Sequence, residues 1–143
     1  MKKLYAVMAA ALLLCGLLTA CGSKTETAND VDLTGFYNGL AEQYGWGDDM
    51  MDLDSDMLEM YYPGLGDIAA KQFLAKAPVM SYAVSEYVFL QADSEQDAAQ
   101  AVKILQTRID SQADGDAFYP ETIDQWKAAK VLQNGAYVAM IAS

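Results

Sequence analysis

Six carboxylates crowd one short stretch of the chain: Asp48, Asp49, Asp52, Asp54, Asp56 and Glu59. Oxygen ligands at alternating positions suit a hard cation such as calcium. The EF-hand template nevertheless fails twice. Counted from Asp52 as position 1, position 6 is Met57 where the loop needs glycine, and position 12 is Pro63 where it needs a bidentate Glu. The same acids equally suit a solvated loop running into a helix N-terminus, whose dipole favours negative charge. Met50, Met51, Met57, Met60 and Met80 offer soft sulfur to copper, and equally the adaptable filling of a core. Tyr37, Tyr44, Tyr87 and Tyr137 fall on predicted core faces. Tyr61, Tyr62, Tyr82 and Trp46 lie near loops and are the candidates for an aromatic surface that grips a peptide or glycan.

What is missing narrows the chemistry further. The chain has no histidine, which removes Ser-His-Asp and Cys-His catalysis and histidine-ligated zinc. Any acid–base pair would have to come from carboxylates, lysines or tyrosines. A glycosidase-like carboxylate pair needs a defined separation across a cleft, which sequence does not supply. The two cysteines, Cys15 and Cys21, both lie near the N-terminus.

That N-terminus has the three zones of a secretory signal. Lys2 and Lys3 begin it, Leu4 to Leu18 is almost wholly apolar, and Thr19 and Ala20 are small. The apolar run of about 15 residues is shorter than the ~20 that span a hydrocarbon core. The end Leu18-Thr19-Ala20-Cys21-Gly22 resembles the lipobox of bacterial lipoproteins. The resemblance implies cleavage before Cys21 and acylation of its thiol by chains such as palmitate. Residues 1–20 would then be the signal peptide, and Cys21 the lipid-bearing N-terminus on the extracytoplasmic face of the membrane. Cys15 would leave with the signal, so the mature chain would hold no free thiol and no disulfide.

Nine basic and twenty acidic residues give a net charge of −11. Loss of Lys2 and Lys3 with the leader would take it to −13. A domain this acidic repels nucleic acid and anionic headgroups, so its contact with the membrane should be through lipid alone. Residues 21–32 are small and polar and read as a flexible tether. Its last eleven residues would span about 18 Å as a coil. Residues 33–143 have the size and apolar content of a single domain.

The elements that must position these side chains follow from periodicity. Leu33, Phe36, Tyr37, Leu40, Ala41 and Tyr44 form one helical face, opened by Asp30, Asp32 or Thr34 and closed by Gly45 and Gly47. A short helix is expected from Asp54 to Tyr62, stopped by Pro63-Gly64. Lys71 to Ala77 reads as helix or strand, with alanine content favouring helix. Val84 to Ala92 is a strand with Val84, Val88, Leu90 and Ala92 on one face and Tyr87 and Phe89 on the other. Both faces need a cover, and Glu86 is an unexplained charge among them.

Ser94 to Ala113 is the clearest helix, with Ser94 and Asp97 resembling a capping box. Its stripe is Ala98, Ala101, Val102, Leu105 and Ile109, and Leu105 and Ile109 should pack against Val88, Leu90, Val138 and Met140. A shorter helix, Pro120 to Ala129, carries Ile123 and Trp126. Lys130 to Gln133 and Ala136 to Ala142, joined through Asn134-Gly135, form a hairpin. The expected fold is α+β, a small antiparallel sheet of about 3–4 strands packed with helices.

The second half has a further resemblance. Glu86 to Leu90, a long helix, Phe118-Tyr119-Pro120 and then Gly135-Ala136-Tyr137-Val138 follow the order seen in small Gram-positive lipoproteins of domain-of-unknown-function family 4358. Those proteins usually have Asn where Ala136 stands, and usually continue beyond the position of Ser143, so a terminal element is expected to be missing. The resemblance implies location and fold, with no assigned activity or catalytic residues. The functional expectation is a non-enzymatic lipoprotein that binds or assembles at the cell envelope, with an envelope protein or glycan as partner, no nucleic acid, no cofactor and no catalytic or metal residues. The competing expectation is capture of a metal or small ligand by residues 48–59, and a carboxylate hydrolase comes third.

Overall fold

A computed structural model describes residues 31–46, 49–80, 84–117 and 119–143. The leader, Cys21 and most of the expected tether lie outside these, as do Gly47, Asp48, Tyr82 and Phe118. The described fold falls in one compact unit, Asp32–Ser143. It is α+β: helix α1 (Leu33–Tyr44), strand β1 (Met50–Asp52), α2 (Ser55–Tyr61), β2 (Ala70–Pro78), β3 (Glu86–Ala92), α3 (Glu95–Ser111), α4 (Ile123–Ala128), β4 (Lys130–Asn134) and β5 (Tyr137–Ala142). The five strands form an antiparallel sheet in the order β1-β2-β3-β5-β4.

β3 is the central strand, and every one of its residues is buried. Its alternation divides the core as the side-chain pattern predicts. Val88, Leu90 and Ala92 join Leu105, Ile109, Val138 and Met140 on the face covered by α3, with Leu58, Leu65 and Trp126 completing that layer. Tyr87 and Phe89 meet Leu33, Tyr37 and Leu74 on the face covered by α1. A strand that is apolar on both sides is stable only between two covers.

Capping sets the helix limits. Asp32 accepts from the Thr34 amide and Asp54 from the Met57 amide, while Gly45 ends α1 in the left-handed region at φ 64°. Ser94 accepts from the Asp97 amide at 3.1 Å, and its hydroxyl donates to the Asp97 carboxylate at 2.6 Å. The shorter Asp thus meets the cap's hydroxyl, where Glu in a capping box would meet its backbone N–H.

Three local expectations need correction. Residues 71–77 are strand, within β2, because pairing with β3 outweighs the helical preference of alanine. The sheet has five strands rather than three or four: β1 lies inside the acidic segment and pairs with Lys76, Ala77 and Pro78. Three residues are too few to show a period of two. The hairpin turn is Gly135-Ala136, since Asn134 pairs with Tyr137. Gly135 has φ 57° and Ala136 no positive φ, the pattern of a type II′ turn with glycine at the first central position.

Candidate functional site

Glu86 opens β3 and faces the α3 side, 4% exposed. A carboxylate in such a place needs donors on both oxygens. Arg108, in the last turn of α3, supplies two of them: Nη2 donates to Oε1 at 2.6 Å and Nε to Oε2 at 3.1 Å. Tyr62, just past α2 and fully buried, donates its hydroxyl to Oε2 at 2.7 Å. The bidentate fork is the geometry in which a guanidinium holds a carboxylate best. The Glu86 charge that the strand pattern left unexplained is therefore satisfied.

Two aromatic rings fix the plane of the guanidinium. Its carbon lies 4.9 Å from the Tyr61 ring centre and 5.3 Å from that of Trp126, so attraction to both faces adds to the ion pair. Burial alone would weaken Arg108's hold on its proton, but hydrogen bonding and the charge of Glu86 outweigh it and raise the pKa above the usual value. For Tyr62, burial is the largest cause and the Glu86 charge and hydrogen bond act in the same direction, so its phenol stays protonated far above the ordinary tyrosine range.

Arg108 and Tyr61 line two neighbouring hollows. One, of about 250 Å³, is further bounded by Val84, Gln112, Asp116, Tyr119 and Trp126. The other, of about 350 Å³, is bounded by Met60, Pro63, Ile104 and Thr107. Beyond α3 the chain makes a wide turn, Gln112–Asp116, with Gly115 at φ 117°. That turn brings Asp116 and Ala117 to the wall of the first hollow. The loop after it is held where Thr122 donates to the Tyr119 carbonyl from both its amide and its hydroxyl.

The acidic segment is differently built. Asp54 caps α2, Glu59 accepts from the Gly64 amide at 2.9 Å, Asp52 pairs with Lys76 at 2.7 Å, and Asp56 stands in the first turn of α2. Among the described residues, no three His, Cys, Asp or Glu converge as metal ligands. Of the aromatics expected at the surface, Tyr62 is instead buried outright, and Trp46 stacks on Tyr87 with ring centres 3.9 Å apart. Conversely, Tyr44, expected in the core, is 63% exposed, because α1 rests on the sheet through a patch narrower than its apolar stripe.

Sequence reasoning missed Arg108 and the closing role of Tyr62. A signal was present: Arg108 lies three residues after Leu105 and one before Ile109, at the edge of the core stripe, and Glu86 lies on a core face of its strand. Opposite charges on two surfaces expected to pack together are a candidate pair.

Among the described residues, an antiparallel sheet with one helix across one face and three across the other, and an ion-paired hollow at the end of the longest helix, define a small α+β fold. Residues 43–143 match the family described as Domain of unknown function (DUF4358), and the chain belongs to that family. The match begins near the end of α1. No curated protein and no solved structure matches the chain.

Buried phenols on both faces of the sheet should make stability fall at alkaline pH. Tyr62, Tyr87 and Tyr37 are all shifted upward, each chiefly by burial. Above pH ~10 the unfolded chain releases phenolic protons that the folded chain keeps. The stability these groups contribute is whole below that pH and is lost as pH rises further. Tyr62 alone should contribute a slope of about −1.4 kcal/mol per pH unit. Denaturant titrations between pH 9 and 11.5 should show a shallower decline for Tyr62→Phe; equal slopes would mean that Tyr62 ionises without unfolding.

Proposed function

We propose that this protein is a lipid-anchored lipoprotein of the extracytoplasmic face that binds a ligand or partner at the cell envelope without catalysing its conversion. The stretch Leu18-Thr19-Ala20-Cys21 carries the anchoring half of this reading, since a small-residue site ending in cysteine suits cleavage and thiol acylation. Two or three acyl chains hold a protein stably, at about 0.8 kcal/mol per buried CH₂, whereas one chain is marginal. Support for binding comes from the hollow beside Arg108. Its arginine and glutamate are committed to each other, and the chain has no histidine to move a proton at neutral pH. A pair so committed positions a ligand better than it transfers protons.

The test is growth of a bacterium expressing the full chain with radiolabelled palmitate. The wild-type protein should carry label and fractionate with membranes, and Cys21→Ser should do neither, because a serine hydroxyl does not replace the thiol as acyl acceptor. Label retained in Cys21→Ser would overturn the anchoring. A reproducible turnover rate on peptidoglycan, glycan, peptide or ester substrates, lost on replacing one buried carboxylate, would overturn the binding role.

A further inference from the structure

We infer that the hollow of about 250 Å³ beside Arg108 is a site for a small zwitterion of the α-amino acid class. This rests on the binding role proposed above and gives it a ligand chemistry. Two poles of opposite sign meet in this hollow.

The positive pole is Arg108. Its Nε and Nη2 are engaged by Glu86, and among the described residues its Nη1 has no hydrogen-bond partner. A guanidinium has five N–H donors in a rigid fork, so an edge remains for a second carboxylate. The side chain keeps 20% of its surface in solvent, enough for a ligand to reach it. Tyr61 and Trp126 hold the fork in one plane, so little orientational freedom remains to be lost on binding.

The negative pole is Asp116, exposed at the wall of the same hollow and in no ion pair among the described residues. The positive φ of Gly115 turns the chain there. The wall also includes Pro78, Val84, Ala117 and Trp126, whose apolar surfaces within a largely polar lining give a ligand's side chain a place to rest.

Charge selects among ligand classes. A simple anion would approach a chain of net charge −11 and then face Asp116 and Glu86 as well as the arginine. A simple cation would meet Asp116 with the guanidinium in the same hollow. A zwitterion carries no net charge into the long-range field and satisfies both poles, its carboxylate on Arg108 and its ammonium on Asp116. The volume fits a molecule of amino acid size and excludes a folded partner.

Calorimetry on the full chain in detergent tests this with the twenty common amino acids and D-alanine, then with the N-acetyl and methyl ester forms of the tightest binder. Saturable binding is expected for at least one free amino acid. Acetylation and esterification should each weaken it by about tenfold or more, since each removes one charged contact. Asp116→Asn should weaken the free amino acid similarly while leaving the N-acetyl form unchanged. Asp116 is exposed, so this variant keeps the fold; thermal melts verify that.

No heat from any amino acid at millimolar concentration would overturn the assignment, as would equal binding of the blocked forms or indifference to Asp116→Asn. An uncharged sugar or a simple anion that binds in the hollow would also overturn it while leaving the broader binding role standing. Conversion of a bound amino acid to product would defeat that broader role instead.

Discussion

Replacing Arg108 with methionine is expected to cost the domain about 3 kcal/mol, near the lower end of the 3–5 kcal/mol seen when one partner of a buried ion pair is removed. The variant retains much of the stem's apolar packing but strands the Glu86 carboxylate, whose side chain is only 6% exposed. Tyr62 would then be its remaining side-chain donor. The lower end of the range applies because the arginine keeps 20% of its own surface in water, so the native pair is not fully desolvated. For the same reason the two halves of the pair are unequal. Glu86→Gln should cost less, since the guanidinium left behind can still reach solvent and keeps the faces of Tyr61 and Trp126. Denaturant melts of both variants and of the double variant form a cycle. A double variant no worse than Arg108→Met would show that the loss is the stranded carboxylate; strictly additive losses would refute the coupling.

Leu105→Ala is expected to destabilise by about 2–5 kcal/mol. Leu105 is fully buried in the layer that contains Val88, Leu90, Val138 and Met140. Its neighbours along the α3 stripe, Ala98 and Ala101, are already small and have no accessible surface, so the helix sits close to the sheet and the gap has few side chains to refill it. The expected value therefore includes a cavity contribution as well as lost burial. Equilibrium unfolding in urea measures it, and a loss well under ~1 kcal/mol would mean that the core collapses around the missing side chain.

These two residues also mark how far local pattern carries. Leu105 was legible because it recurs at helical spacing with Ala98, Ala101 and Ile109, and the strand facing it had an apolar set at spacing two. Arg108 was not, because an arginine at the margin of a stripe reads as a charge turned to water. Its partner Glu86 lies 22 residues earlier. No local period links two such positions.

Periodicity, capping and turn chemistry act within a few residues, so α1, α3, the hairpin and the two-faced strand β3 could be read from the chain alone. So could the candidate acylation site at Cys21 and the exclusion of histidine chemistry, which depend only on residue identity. The family resemblance, too, was carried by element order along the sequence. Tertiary structure decided the rest. It made a strand of 70–78, whose alanines prefer helix in isolation, because the backbone of β3 offered a ladder on one side and β1 completed it on the other. It also closed the Glu86–Arg108–Tyr62 cluster and placed Asp116 at the same hollow. The reason is one of range: a local pattern states which face is apolar, but charges brought together from β3, α3 and the segment after α2 meet only once those faces have packed.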